Sequence, residues 1–422
     1  MNAFLYRDNA LHCEQVPLAD IVRRAGTPAY VYSRAAILER FRDYDEAFGA
    51  QPHQVCYAVK ANSNLAVLRL LANAGAGFDI VSGGELFRVL KACNDASRVV
   101  FSGVGKTADE IEFALDAGIH SFNCESEAEL ELIDALAERR RVKARISARV
   151  NPDVDASTHP YISTGLREHK FGVNIAGAEA FYRRAMELPN LAPHAVSCHI
   201  GSQILDPAPM LEALGKVLAL VERLRARGVP IRALDLGGGL GVPYKSGEER
   251  PAVRAFIRAV CEKVAGANLT VTVEPGRSIV AEAGVLVTRV LYRKSGGEKE
   301  FVIVDAAMND LIRPALYQSH HEIVPLRPAG DRPTITADVV GPVCESGDFL
   351  ARGREMPDVL PGDLLAVCTA GAYGFVQSSN YNSRPRACEV LVDGDNWRIV
   401  RARESYDDLL RGELTEAAGR PS

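Results

Sequence analysis

The residue with the most chemical promise is Lys60, in Tyr57-Ala58-Val59-Lys60-Ala61-Asn62, behind a short run of strand-forming side chains. An ε-amine whose pKa is lowered can condense with an aldehyde. Alone, a lysine at a strand end is more often a solvated side chain whose stem lies along the surface. Two downstream segments shift that balance. Leu236-Gly237-Gly238-Gly239-Leu240-Gly241 and Glu274-Pro275-Gly276-Arg277 are turns in which glycine lets the backbone approach an anion closely and aim N–H groups at it. An amine for an aldehyde and N–H groups for a phosphate together suit a phosphorylated aldehyde.

Glu274 narrows the chemistry further. A carboxylate beside a pyridine nitrogen keeps that nitrogen protonated and makes the ring an electron sink, so pyridoxal 5'-phosphate is the cofactor these residues fit. The bland reading of Glu274 is an acid near a helix N-terminus. His199, in Val196-Ser197-Cys198-His199-Ile200-Gly201-Ser202-Gln203, could stack on the ring, and Ser202 could donate to the phosphate. Two later clusters bear on the substrate. One runs from Asp305 through Met308-Asn309-Asp310 to Arg313 and Tyr317; the other is Gly341-Pro342-Val343-Cys344-Glu345-Ser346-Gly347-Asp348. A cysteine beside an acid in a glycine-flanked turn could deliver a proton to carbon. The other eight cysteines read as small buried hydrophobes.

These residues need a scaffold that brings distant turns to one face. Strand patterns fall at 55–60, 78–81, 99–102, 121–124, 145–150, 196–199, 233–236 and 270–274, with helical patterns between them at 64–74, 84–92, 109–117, 127–140 and 209–227. In the 127–140 segment Leu130, Ile133, Leu136 and Ala137 recur at helical spacing. Eight strand–helix units are the count of a (β/α)8 TIM-like barrel, with a doubly wound sheet as the rival. In such a barrel Lys60 ends the first strand and His199 the sixth. The two glycine turns follow the seventh and eighth, where these barrels often bind phosphate.

After residue 276 long helices disappear. Strand patterns occupy 285–293, 301–305, 334–343 and 363–369, and 387–392 and 396–401 flank the hairpin turn Asp393-Gly394-Asp395. The pieces at 3–7 and 29–32, around a short helix at 18–26, are expected to join that sheet. The expected division is a barrel over 30–276 and a β-domain, a β-sandwich or Greek-key barrel, formed by 1–29 and 277–422.

Composition fits an ordinary soluble globular protein. Hydrophobic residues make up 47% and charged residues 24%, and the net charge of −5 is spread without a basic patch, which argues against nucleic acid as a partner. The first residues lack the charged and apolar regions of a secretory signal, and no run is long enough to span a membrane. Nine scattered cysteines without a C-x-x-C pair suit neither a zinc site nor a disulfide framework, so no metal and a cytoplasmic location are expected.

Taken in order, Tyr57–Asn62, His199–Gln203, the glycine triplet, Glu274–Arg277, Cys344–Asp348 and Gly371-Ala372-Tyr373-Gly374 resemble the alanine-racemase-fold decarboxylases acting on ornithine, arginine and diaminopimelate. Thr164–Gly172, Met308-Asn309-Asp310 and Arg313–Tyr317 resemble the diaminopimelate branch in particular. The resemblance spans about residues 25–410 and implies a role for each site residue. Lys60 would hold pyridoxal 5'-phosphate through its ε-amine, His199 would stack on the ring and Glu274 would pair with the pyridine nitrogen. Ser202, Gly238, Gly239 and the backbone of Gly276 and Arg277 would hold the phosphate, with Tyr373 nearby. Cys344 would return a proton after carbon dioxide leaves, and Arg277, Arg313, Tyr317, Glu345 and Tyr373 would read the substrate. The family pattern also implies a homodimer in which Cys344 and Glu345 reach the partner's barrel.

Charge pairing supports that branch independently. The far end of meso-2,6-diaminopimelate is itself an amino acid, requiring a cation for its carboxylate and an anion for its ammonium. Arg313, with Arg277, and Glu345 offer these. The expected reaction yields L-lysine and carbon dioxide. A decarboxylase of ornithine, arginine or carboxynorspermidine, a racemase, and a catalytically silent relative are the alternatives.

Overall fold

The computed structural model describes residues 3–154, 171–297, 299–328 and 330–414. Most of the motif Thr164–Gly172 therefore lies outside the described residues, which resume at Phe171. The chain divides into two compact units, one formed by Arg34–Glu282 and the other by Asn2–Ser33 with Ala283–Ser422.

The first unit is a closed parallel barrel. Its strands, in chain order, are His53–Ala58, Gly77–Ile80, Val99–Phe101, Ser121–Cys124, Ala144–Asn151, Leu191–Cys198, Ala233–Asp235 and Thr270–Val273. Each pairs with the next in parallel, and the eighth returns to the first through Val271↔His53, Thr272↔Gln54 and Val273↔Val55. The doubly wound alternative is thereby excluded. Several intervening helices start at a serine or threonine cap, as expected where a strand turns into a helix. Ser82, Thr107 and Ser126 accept from the backbone N–H groups of Glu85, Glu110 and Glu129. In the helix Glu127–Arg140 the buried residues are Leu130, Ile133, Leu136 and Ala137, the stripe its spacing predicts. The sixth strand slips register between Pro193 and Ala195. The Tyr182 hydroxyl fills this break by donating to the Ala195 carbonyl and accepting from Ala148 N–H.

The second unit is mostly sheet. Its organising strand, Gly284–Gly296, runs antiparallel to Ala29–Ser33, to Leu364–Val367 and, in its later half, to Lys299–Val304. Cys388–Asp393 lies parallel to Ala29–Ser33 and continues by hairpin into Asn396–Arg401. Thus Ala29–Ser33 is an interior strand of this sheet, and all five of its residues are buried. The piece at 3–7 does not join it. Phe4–Arg7 pairs with Ala10–Cys13 in a separate three-stranded sheet, whose buried Leu11 and Cys13 pack on Ala29, Val31, Val285 and Val287.

The unit boundaries therefore fall after Ser33 and Glu282, a few residues beyond the expected 29/30 and 276/277. Strand pairing draws residues 30–33 into the sheet, and the short buried helix Arg277–Val280 stays with the barrel. Ile323–Pro325 and Phe349–Pro357 escape the sequence reading, as do the short strands Ala10–Cys13, Val16–Pro17 and Val173–Asn174. Phe349–Pro357, with the sequence Phe-Leu-Ala-Arg-Gly-Arg-Glu-Met-Pro, carries no clean alternation of apolar and polar residues. Among the described residues no helix is long and apolar enough to cross a membrane.

One buried ion pair ties the barrel wall to its rim. Lys106, with a side chain only 1% exposed, donates to Glu129 at 2.6 Å and to the carbonyls of Gly103 and Asn123 at 2.8 Å each. Lys106→Met leaves Glu129 and two carbonyls without that donor. We expect it to cost ~3–5 kcal/mol, read as a lowered midpoint of thermal or urea unfolding; a loss under ~1 kcal/mol would contradict the assignment.

Candidate active site

The C-terminal ends of the barrel strands gather the expected barrel residues. Lys60 lies in the 3-10 turn Val59–Ala61, immediately past the first strand rather than on it. Its amine donates to Asp79 Oδ2 at 2.6 Å, and Asp79, on the second strand, is fully buried. The Lys60 side chain is 40% exposed, so the amine is anchored yet accessible.

Glu274 follows the eighth strand and is buried. Its Oε1 accepts from Asn123 Nδ2 at 3.2 Å, and the same amide nitrogen reaches Asp235 Oδ2 at 3.0 Å and Ser102 Oγ at 3.2 Å. Asp235 Oδ1 also accepts from Gly237 N–H at 2.9 Å, and the Asn123 amide nitrogen lies between the two buried carboxyls. Burial, followed by the charges of Asp235 and Asp79, pushes Glu274 well above the usual carboxylate range, with Lys60 pulling the other way. Asp235 is also raised by burial, against the hydrogen bonds it accepts from Gly237 and Asn123, which lower it.

His199 stands one residue past the sixth strand. Its Nδ1 accepts from Gly238 N–H at 3.2 Å, which leaves the proton of a neutral ring on Nε2. Burial first, then Arg149 and Lys60, push its pKa well below the ordinary histidine value, so the ring is neutral. The glycine turn is required by close approach. A Cβ on Gly238 would lie 2.2 Å from the Glu274 carbonyl oxygen, and Gly239, at φ +126°, would place one 2.6 Å from the Gly201 carbonyl oxygen. Ile204 N–H donates to the Gly239 carbonyl, joining this turn to the segment after His199. Gly276 packs on Ala58 and Ala61, beside the turn that carries Lys60. Arg277 is buried and donates to Ser202 Oγ at 3.1 Å and to the Tyr244 hydroxyl at 2.7 Å.

The second unit holds the remaining candidates. Arg313 begins the short helix Arg313–Tyr317, is 5% exposed, and donates to His321 Nε2 and Ser319 Oγ. The Tyr317 hydroxyl accepts from Gln377, in the turn Phe375–Gln377. Tyr373, two residues before that turn, has φ +56°. Cys344 and Glu345 are exposed. Their turn is held from within by Asp348, whose carboxylate accepts from Met308 N–H at 2.7 Å and Val343 N–H at 2.6 Å. Asn382 Oδ1 accepts from Cys344 N–H, and Arg384 donates to Asn309 Oδ1 and to the Asp305 carbonyl. The Met308-Asn309-Asp310 and Cys344–Asp348 motifs are thus brought together.

Sequence reasoning passed over Asp79, Asn123 and Asp235. The available signal was a polar residue inside a strand segment buried on both faces, where an apolar one is the norm. Phe78-Asp79-Ile80, Phe122-Asn123-Cys124 and Leu234-Asp235-Leu236 each show it.

The donor set fits pyridoxal phosphate. An accessible amine can take its aldehyde, a buried acid can meet its pyridine nitrogen, and a glycine turn with Ser202 and Arg277 can receive its phosphate. The comparisons with known proteins agree. Residues 34–281 match the family described as pyridoxal-dependent decarboxylase, pyridoxal binding domain. The chain is 57% identical over 413 residues to the diaminopimelate decarboxylase of Pseudomonas aeruginosa, covering 98% of this chain and 99% of that protein. It is 53% identical over 411 residues to that of Vibrio cholerae, with 97% and 98% covered. The crystal structure of diaminopimelate decarboxylase from Helicobacter pylori complexed with L-lysine superimposes with a TM-score of 0.90 at 45% identity, over 93% of this chain and 98% of that one. The M. jannaschii enzyme in co-complex with L-lysine gives 0.93 at 35% identity, over 98% of both chains. The chain therefore belongs to the diaminopimelate decarboxylases, within the pyridoxal-dependent decarboxylase family.

Proposed function

We infer that this protein removes one carboxylate of meso-2,6-diaminopimelate as carbon dioxide and leaves L-lysine. The observation that carries the reading is the pairing, at one barrel rim, of the Asp79-anchored Lys60 amine with the buried Glu274 acid. When bound, pyridoxal phosphate supplies the sink for the electrons left by the departing carboxylate. Lys60 would hold its aldehyde carbon, and Asp79 would orient the amine. The neutral His199 ring would lie against the ring face, adding no positive charge there. Glu274 would meet the pyridine nitrogen. Ser202, Gly238, Gly239 and the backbone of Gly276 and Arg277 would hold the phosphate, with Tyr373 beside it.

Substrate reading falls to charged groups. Arg313, with Arg277, would take the distal carboxylate, Glu345 the distal ammonium, and Tyr317 and Tyr373 would line the chain between. The Cys344 thiol would return a proton to the carbon that has lost its carboxylate. Cys344 and Glu345 are exposed on the single chain, which supports a homodimer in which they serve the partner's barrel. All nine cysteines are free thiols, which suits the reducing cytoplasm, where we place the protein.

The direct assay compares carbon dioxide release from meso-diaminopimelate, ornithine, arginine and carboxynorspermidine by the holoenzyme. Release from diaminopimelate alone, with lysine formed, is expected; release from another substrate instead would overturn the roles of Arg313 and Glu345. Arg313→Ala should cost about 2–5 kcal/mol in kcat/KM, mostly through KM, because the distal carboxylate loses its cation. An unchanged KM would count against the assignment. Mixing inactive Lys60→Ala and Cys344→Ala proteins tests the shared site. Random exchange of dimers should restore about a quarter of wild-type activity, since half the dimers then carry one intact site; no recovery would mean each chain serves itself.

A further inference from the structure

His321 is fully buried and has no part in the roles above, yet its ring touches the arginine assigned to the substrate. Its Nδ1 lies 2.9 Å from the Cys368 carbonyl oxygen, and its Nε2 lies 3.4 Å from Arg313 Nε. A carbonyl only accepts and a guanidinium N–H only donates. The proton is therefore on Nδ1, Nε2 presents a lone pair to Arg313, and the ring is neutral. We propose that His321 is a positioning residue that sets the orientation of the Arg313 guanidinium, and so helps to determine specificity for a substrate whose far end carries a carboxylate. This rests on the reading in which Arg313 takes that carboxylate.

Local structure creates the need for such a residue. Arg313 begins a helix of only five residues, too short to be stable by itself, and its long side chain has many rotamers. The sheet supplies the rigidity. His321 stands two residues before the strand Ile323–Pro325, which pairs antiparallel with Leu364–Val367, and Cys368 N–H extends that pairing by donating to the Glu322 carbonyl at 2.8 Å. Arg354, on the strand Phe349–Pro357, donates to the His321 carbonyl at 2.9 Å. Ring and backbone of His321 are thereby tied to two different strands, and the ring passes that order on to Arg313. From the helix side, Ser319 Oγ accepts from Arg313 Nη2 at 3.2 Å, and the Tyr317 ring centroid lies 5.9 Å from the guanidinium carbon. The His321 and Ser319 acceptors are uncharged, so they fix the guanidinium plane without cancelling its charge. A carboxylate in the place of His321 would compete with the substrate's own. With Nε given to His321, a bidentate carboxylate has to approach through Nη1 and Nη2 rather than along the Nε edge.

The test measures kcat and KM for meso-diaminopimelate with the holoenzyme. His321→Asn keeps a donor near the Nδ1 position for the Cys368 carbonyl but places no acceptor where Nε2 was; His321→Gln does the reverse. His321→Asn should raise KM about 10- to 100-fold with kcat little changed, and His321→Gln should recover most of that loss although it gives up the bond to Cys368. A side chain that merely supported the fold would not favour the variant that abandons the Cys368 carbonyl. In the Arg313→Ala background, His321→Asn should change KM by less than about twofold, because no guanidinium is left to orient. An unchanged KM in His321→Asn, a loss confined to kcat, or an equal rise in the Arg313→Ala background overturns the proposal. Arg313→Lys decides the matter even if the His321 variants fail to fold, since it keeps the charge but has no Nε–H for His321 to hold. A KM close to that of Arg313→Ala is expected; a KM close to wild type would mean that charge alone reads the carboxylate, and the proposal falls. Arg313→Ala separates the two levels of the argument. If it leaves KM unchanged, the assignment of Arg313 fails and the proposal with it; if it raises KM while His321→Asn does not, only the positioning role fails.

Discussion

Three carboxyl groups and one amine meet at the rim of this barrel, and most of the neighbouring structure serves to make that concentration tolerable. Asp79, Asp235 and Glu274 are each less than 9% exposed. An ionised carboxylate without partners in such a place would cost several kcal/mol. Lys60 answers Asp79, the Gly237 N–H answers Asp235, and the single amide of Asn123 lies between Asp235 and Glu274. Little freedom remains for any of these groups. The position of Asn123 is itself fixed by Lys106, which binds its carbonyl and is neutralised by Glu129 at the start of the next helix. A chain of hydrogen bonds thus runs from the outer helices to the chemical centre.

The same constraint explains why the turn after the seventh strand is glycine. Gly237 must bring its N–H to Asp235 while its carbonyl accepts from Glu274 N–H, and Gly238 must pass over the Glu274 carbonyl with no room for a side chain. The N–H of Gly238 also sets the tautomer of His199. Acid, imidazole and glycine turn are therefore one assembly, joined through the backbone groups of Gly237 and Gly238.

The sheet-rich unit solves a different problem, holding a cysteine and an acid in a braced turn without burying them. Asp348 turns its carboxylate inward to hold the Met308 and Val343 N–H groups, and Asn382 and Arg384 brace the same loops from another segment. Cys344 and Glu345 are left outside. Most of the other cysteines are buried or nearly so, and burial drives thiols such as Cys13 and Cys368 upward into inert neutral forms. Cys344 is the exposed one.

The barrel was legible in the chain because buried parallel strands and amphipathic helices carry distinct periods. Ser121–Cys124 and Glu127–Arg140 fall where the pattern places them. Lys60, His199, Glu274 and the glycine turns were legible as well, since each is an unusual residue at the end of a strand. The sheet-rich unit was less readable. Phe349–Pro357 has no alternation, and no local feature separates Phe4–Arg7, which pairs with its neighbour, from Ala29–Ser33, which enters the middle of a sheet built from residues more than 250 positions away. Asp79, Asn123 and Asp235 were visible only as polar interruptions in apolar strands, each explicable alone as a local accident. What the sequence determined was the inventory of chemical groups and the strand ends that carry them. That one amide would bind two buried acids was decided by barrel closure, which brings Asn123 on the fourth strand within hydrogen-bonding distance of Asp235 and Glu274, each more than a hundred residues further along the chain.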